Sequence, residues 1–181
     1  FRSDAAFSDG NSITLAQEKP LMAGVDQNGT VRILDLDTGN TVGRFSTQLP
    51  AGSVLQMQFF LEDTYLAIKS SGGHLLIYEL ATGTQVYRDQ LYDAYSTKLQ
   101  VFEDLDRNRL YLNCGSRSGL CLELGSWTTL ATLDNLLYYD SSQNLVYLKL
   151  NGYENPAPIV YRTVPDTMEL VTQATKLLAN H

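Results

Sequence analysis

Short runs in which apolar and polar residues alternate cover the chain from about residue 13 to residue 163, and clusters of Gly, Asp, Asn, Ser and Thr separate them. Alternation with a period of two places successive side chains on opposite faces of an extended backbone, so each run predicts a β-strand and each cluster a turn. The first stretch contains strands over 13–16, 21–25, 30–36 and 41–46. Between its second and third strands lies Asp26-Gln27-Asn28-Gly29, an Asn-Gly turn that tolerates positive φ, and between the third and fourth lies Asp37-Thr38-Gly39-Asn40. The same layout returns over 54–60, 65–69, 74–80 and 84–89, then over 98–102, 109–114, 120–124 and 127–133. A fourth set begins with 136–140, 145–150 and 158–162 and lacks its last strand.

The sets are copies of one another at a spacing of 44 residues. Leu36, Leu80 and Leu124 keep this interval; Asp35, Glu79 and Glu123 stand just before them, and Ile33, Ile77 and Cys121 two positions earlier. Val42, Val86 and Leu130 keep it too. A single sandwich offers many short strands but no reason to repeat strand length, turn chemistry and an acidic marker at one offset. A small twisted sheet cannot bury both faces alone and must stack on its neighbours, and four-stranded units of about 40–45 residues are the mark of propeller blades. The expected fold is therefore all-β: about four four-stranded antiparallel β-propeller blades at 10–50, 51–92, 95–133 and 134–163, within residues 1–164. Propellers have roughly four to eight blades, so the four either close on themselves or belong to a larger ring. The strand missing from the fourth blade has two candidate sources: association of two copies into a homodimer that completes a ring, or the segment 1–8. Beyond it, Pro165-Asp166-Thr167 followed by Met168, Leu170, Val171, Ala174, Leu177 and Leu178 has helical spacing behind an acidic cap. Residues 165–181 are expected to hold a terminal helix, from about 166 to 179.

The stretch GVDQNGTVRILDLDTGNTVGRF, residues 24–45, and its copy GGHLLIYELATGTQVYRD, residues 72–89, resemble the WD-repeat family in their order of turn, third strand, acidic ending, Thr-Gly turn and fourth strand. Leu34 and Tyr78 replace the family's Trp, and no Gly-His pair precedes a first strand, so the family's buried Asp-His-Ser-Trp set does not map onto this chain. The blades also resemble the quinoprotein-type repeat. The tail TVPDTMELVTQATKLLANH is similar to the segment that follows propellers in bacterial signal-transduction NTPases and related multidomain sensors. The resemblance implies a sensor or scaffold part of a larger bacterial signalling protein, bound to a protein partner or to other domains of its parent chain.

Composition narrows the function. Apolar residues make up 44% and charged residues 18% of the 181, with 11 tyrosines, which suits strands with a sizeable core. A formal net charge of −7 opposes nucleic acid and anionic membrane, because affinity for phosphates comes from Lys and Arg displacing counterions. No run of 18 apolar residues exists, so no helix is expected to span a bilayer. The chain begins at Phe1 rather than Met, so a leader or a larger upstream region is expected before it; the compartment is expected to be cytoplasmic, or extracytoplasmic if a leader preceded Phe1.

Reaction chemistry is sparse. The sequence has no His-Glu-x-x-His helix, Gly-x-Ser-x-Gly elbow or phosphate-cradling Gly-Lys-Ser/Thr loop. His74 opens a strand after two glycines, and Cys114 and Cys121 read as buried apolar thiols. No cofactor and no metal are expected. The carboxylate pairs Glu62/Asp63 and Asp104/Asp106 fall in expected hairpin turns, where Asp favours local backbone hydrogen bonds. A propeller enzyme or quinoprotein-like domain is the alternative; it requires charged groups converging on the central channel, whereas the first-strand positions Ile13, Met57 and Val101, taken to face that channel, are apolar. The remaining candidates are aromatic. The longest inter-blade connection, DQLYDAYS, carries Tyr92, Asp93 and Tyr95, and Tyr153 lies in the loop NGYENP. Tyrosine buries a large area at little entropic cost and recurs at protein-binding hot spots, so these four residues are the expected protein-binding site of a non-catalytic module, with packing of the rings between blades as the competing use.

Overall fold

The computed structural model describes residues 13–26, 28–50, 52–91, 96, 98–115, 117–149 and 159–163. Among them the chain forms four antiparallel sheets, each a meander of consecutive strands. Sheet one contains β1 (Ile13–Leu15), β2 (Leu21–Val25), β3 (Thr30–Asp35) and β4 (Thr41–Ser46), and sheet two contains β5 (Val54–Phe60), β6 (Tyr65–Ser70), β7 (His74–Glu79) and β8 (Thr84–Gln90). Sheet three follows with β9 (Gln100–Asp104), β10 (Arg109–Asn113), β11 (Gly119–Glu123) and β12 (Thr129–Leu133). Sheet four has three strands, β13 (Leu136–Asp140), β14 (Leu145–Lys149) and β15 (Ile159–Thr163). Alternation located these strands to within two residues at either end. The larger shift, in β9, arises because Asp104 pairs with Arg109 and the turn shrinks to Leu105–Asn108. The expected terminal helix and the segment 1–8 lie outside the described residues.

The periodic acidic residue caps a turn. Gly39 donates its N–H to the Asp35 carbonyl at 2.8 Å, Gly83 to that of Glu79 at 2.9 Å, and Trp127 to that of Glu123 at 2.9 Å. The acidic side chains then hold the residue three positions on: Asp35 accepts the Thr38 N–H at 2.8 Å, Glu79 the Thr82 hydroxyl at 2.7 Å and Glu123 the Ser126 hydroxyl at 2.6 Å. The Thr38 N–H holds the Asp35 carboxyl below its usual pKa. The third turn departs from glycine: Trp127 adopts φ 57°, next to 71° and 68° in Gly39 and Gly83. A side chain in this left-handed region costs about 1 kcal/mol or more. The ring offsets that cost by packing on Tyr65, with centroids 4.9 Å apart, and edge-on to Phe60 of sheet two.

The sheets stack through their faces in chain order, so that sheets two and three each bury one face on the sheet before and the other on the sheet after. Ala23, Val25, Val31 and Ile33 of sheet one meet Met57, Phe59, Leu66, Ile68 and Leu76 of sheet two. On the other face of sheet two, Ala67, Leu75, Ile77 and Tyr87 meet Leu110, Leu112, Leu120 and Leu122 of sheet three. Sheets three and four join through Tyr111, Cys121, Leu136, Tyr139 and Val146, with the Tyr111 and Tyr139 rings stacked at 3.8 Å. This packing corrects the assignment of first-strand residues to the channel. Met57 is buried between sheets one and two, and Val101 packs into the cluster between sheets two and three. Side chains on a strand point to the two faces of its sheet, so their apolarity reports on packing between sheets.

One position shows how closely the third interface fits. Val31 and Leu75 head the face that each sheet turns to the next, and 44 residues further on stands Gly119. A Cβ at Gly119 would lie 2.2 Å from the Leu133 carbonyl oxygen and 2.8 Å from Leu136 Cβ. Leu136 of sheet four occupies the space that a side chain would need.

Candidate functional site

At the end of the stack where first strands turn into second strands, carboxylates tie each sheet to its neighbour. The turn after β5 places Leu61, Glu62 and Asp63 at φ 50°, 53° and 54°, three consecutive left-handed residues without a glycine. Asp63 is buried, and its carboxylate accepts the N–H groups of Gln17 at 3.1 Å, Glu18 at 2.6 Å and Lys19 at 2.8 Å from sheet one. From the other side, Glu103 of sheet three accepts the Leu61 N–H at 2.7 Å. Asp104 continues the series: it is buried, accepts a short hydrogen bond from the Tyr139 hydroxyl of sheet four, and pairs with Arg107 at 3.3 Å. These contacts correct the expectation of local turn carboxylates. Asp104 closes β9 rather than lying in the turn, and the Asp63 bonds span 44 to 46 residues.

A linkage follows for Asp63. Burial alone would raise its pKa, but the three N–H donors and Lys19 outweigh it and hold the carboxyl below its ordinary value. A depressed folded pKa contributes stability above the unfolded value of about 3.9, and that contribution is lost as pH falls through the folded pKa. Asp63→Ala is therefore expected to cost about 3 kcal/mol near neutral pH, the order for hydrogen bonds to a charged group. Urea unfolding at a series of pH values checks it: the two proteins converge on acidification below the unfolded value, and a gap independent of pH contradicts the assignment.

The opposite end, where second strands run into third strands and one sheet passes to the next, carries the other charge. Lys69 closes β6 fully buried, with its ammonium donating to the Ser96 carbonyl at 2.5 Å and, by a shorter bond, to that of Cys114. Burial pushes the Cys114 thiol up to about 12, and both cysteines are free and buried. Tyr87 bridges sheets two and three, its hydroxyl 3.1 Å from Asp89 and 3.0 Å from Thr129, with burial raising its pKa to about 12.

A cleft of about 290 Å³ opens between sheets three and four, lined by Ser96, Lys98, Asn113, Asn135, Leu136 and Lys149 among others. Lys98 and Lys149 are exposed, and neither makes an ion pair among the described residues. Among the described residues no carboxylate lines this cleft. The depression at the other end, about 370 Å³, is lined by Glu18, Glu62, Asp63 and Glu103 and has no basic residue in its wall. Over the described residues, the walls of the two depressions are thus opposite in charge.

Tyr92, Asp93, Tyr95 and Tyr153, the residues expected to bind a partner, lie outside the described residues. Ser96 and Lys149 of the cleft flank their two segments in sequence. Sequence reasoning passed over the lysines, although a signal existed: YLAIK at 65–69 and LVYLK at 145–149 each end an apolar second strand on lysine. Among the described residues no three His, Cys, Asp or Glu side chains gather where a metal ion could be held, and no helix is long and apolar enough to cross a membrane.

Consecutive four-stranded meanders stacked face to face define a β-propeller-like fold. The chain is similar to the computationally designed Ika8 protein, at 17% identity and a TM-score of 0.56 over 76% of this chain and 42% of that one. It is similar to U3-55K, at 13% identity and a TM-score of 0.53 over 77% and 45%. Hsv2 of Kluyveromyces lactis matches at 10% identity and a TM-score of 0.48 over 76% and 40%. The chain spans less than half the length of each of these proteins. No protein-family model matches the sequence, and no curated protein sequence matches it.

Proposed function

We propose that the chain is a run of four β-propeller blades that serves as a non-catalytic, protein-binding scaffold or sensor module within a larger protein. The observation that carries this reading is a rigid stack of sheets, cross-tied at both ends, whose connecting loops present an open polar cleft. Rigid elements that display loops are suited to recognition, because the loops vary while the frame holds them in place. Propeller-like structural neighbours support a protein-interaction scaffold. The tail's resemblance to bacterial multidomain sensors supports a signalling role, with partners among other proteins or the parent chain's own domains. Affinity capture on the immobilised chain tests the reading, with the heat-unfolded chain as the control. Proteins retained by the folded chain and absent from the unfolded one support it; identical retention on both overturns it.

A further inference from the structure

We infer that the cleft between sheets three and four is a docking site for an acidic peptide segment, in which Lys98 and Lys149 receive carboxylates; this rests on the protein-binding reading above and names the partner's chemistry.

In a chain of net charge −7, this cleft has two lysines and, among the described residues, no acid in its wall. Their ammonium groups are exposed, and no ion pair among the described residues engages them. Asp134, next in sequence to Asn135, is not part of the lining. The rest of the wall suits a peptide better than a phosphate. Asn135 supplies a half-buried carboxamide, and the Asn side chain can both donate to and accept from a peptide backbone. Leu137, half-buried at the edge of the packed Leu136, gives the cleft an apolar side, which selects a hydrophobic residue next to the acidic ones. No arginine lines the cleft, whereas bidentate recognition of phosphate favours that side chain.

The frame is set before a ligand arrives. The Lys149 N–H donates to the Asn135 carbonyl at 2.9 Å, which fixes the end of β14 against the start of sheet four. Asn113 accepts the Gly115 N–H at 3.2 Å and donates to Gln100 at 3.3 Å, so that its carboxamide is held in one orientation. Ser96 is anchored by the buried Lys69 ammonium through its carbonyl. Three sides of the cleft are therefore tied to the sheets, and the two exposed lysines stand free of ion pairs among the described residues.

The experiment is a selection of random peptides displayed on phage against the immobilised chain, followed by fluorescence polarisation of the enriched peptides with the wild type and the K98E/K149E double variant. Both positions are exposed, so the variant is expected to keep the wild-type thermal midpoint, which is measured alongside. The expected result is enrichment of Asp or Glu beside an apolar residue, a loss of roughly tenfold or more in affinity on charge reversal, and weaker wild-type binding as salt rises. Enriched peptides without acidic residues, or acidic peptides that bind the double variant equally well, overturn the cleft and leave the protein-binding reading standing. Failure to enrich any peptide that distinguishes the folded from the unfolded chain overturns both.

Discussion

Replacing Gly119 by alanine is expected to destabilise the fold by about 3 kcal/mol, at the upper end of what overpacking a core costs. The added methyl would meet the Leu133 carbonyl oxygen at 2.2 Å and Leu136 Cβ at 2.8 Å. Neither atom can swing aside as the end of a long side chain would. Gly119 pairs with Leu133 in the β11–β12 ladder, so relief requires that ladder to open or sheet four to move off sheet three. Gly52 provides the control. It has φ 71° and nothing within 4 Å of a Cβ, so alanine there costs only backbone strain, about 1 kcal/mol. Urea unfolding of the two variants separates clash from strain, and equal losses contradict the close approach. Adding Leu136→Ala to Gly119→Ala recovers no stability, because alanine keeps the Cβ that the new methyl meets and the carbonyl contact remains.

Lys69→Ala is expected to cost about 4 kcal/mol, combining a cavity in the second interface with carbonyls deprived of a charged donor. The side chain is wholly buried, and its ammonium holds the Ser96 and Cys114 carbonyls of the next sheet. A buried charge is expensive to desolvate, and this is recovered only where its hydrogen bonds are good. Lys69→Met separates the contributions, since it keeps the stem and removes the charge; about 2 kcal/mol of loss is expected. Chemical unfolding of both variants gives the comparison. A Met variant as stable as the wild type assigns the role of Lys69 to its aliphatic stem alone.

Strands and turns were legible because their determinants are local. Alternation located β2, β4, β5 and β13 to the residue, and the Thr-Gly turns followed from glycine's tolerance of positive φ. Trp127 shows the limit: it was read as part of a strand, whereas it takes the glycine position of the third turn, held by contacts with Tyr65 and Phe60 some 60 residues away. The carboxylates failed for the same reason. Asp63 and Asp104 look like turn formers in sequence, and their partners are supplied by a neighbouring sheet. Of the candidate site, the chain pattern pointed to the loops around 92–95 and 153, which lie outside the described residues, while the cleft depends on sheets three and four being juxtaposed, which no local pattern encodes.

The meander topology has a consequence for how the molecule assembles. Each sheet is made from one contiguous stretch of sequence, and each interface needs only the sheet just completed. Contacts are therefore closed over short lengths of chain, which lowers the entropic cost of forming them. Such a chain can add sheets in order as it leaves the ribosome, in the manner of a one-dimensional array with nearest-neighbour coupling. Sheet two, covered on both faces by largely aliphatic layers, then becomes the seed on which the others gain their stability. Sheet four, joined through stacked tyrosines and a buried aspartate, is the last to be secured and the first to be released.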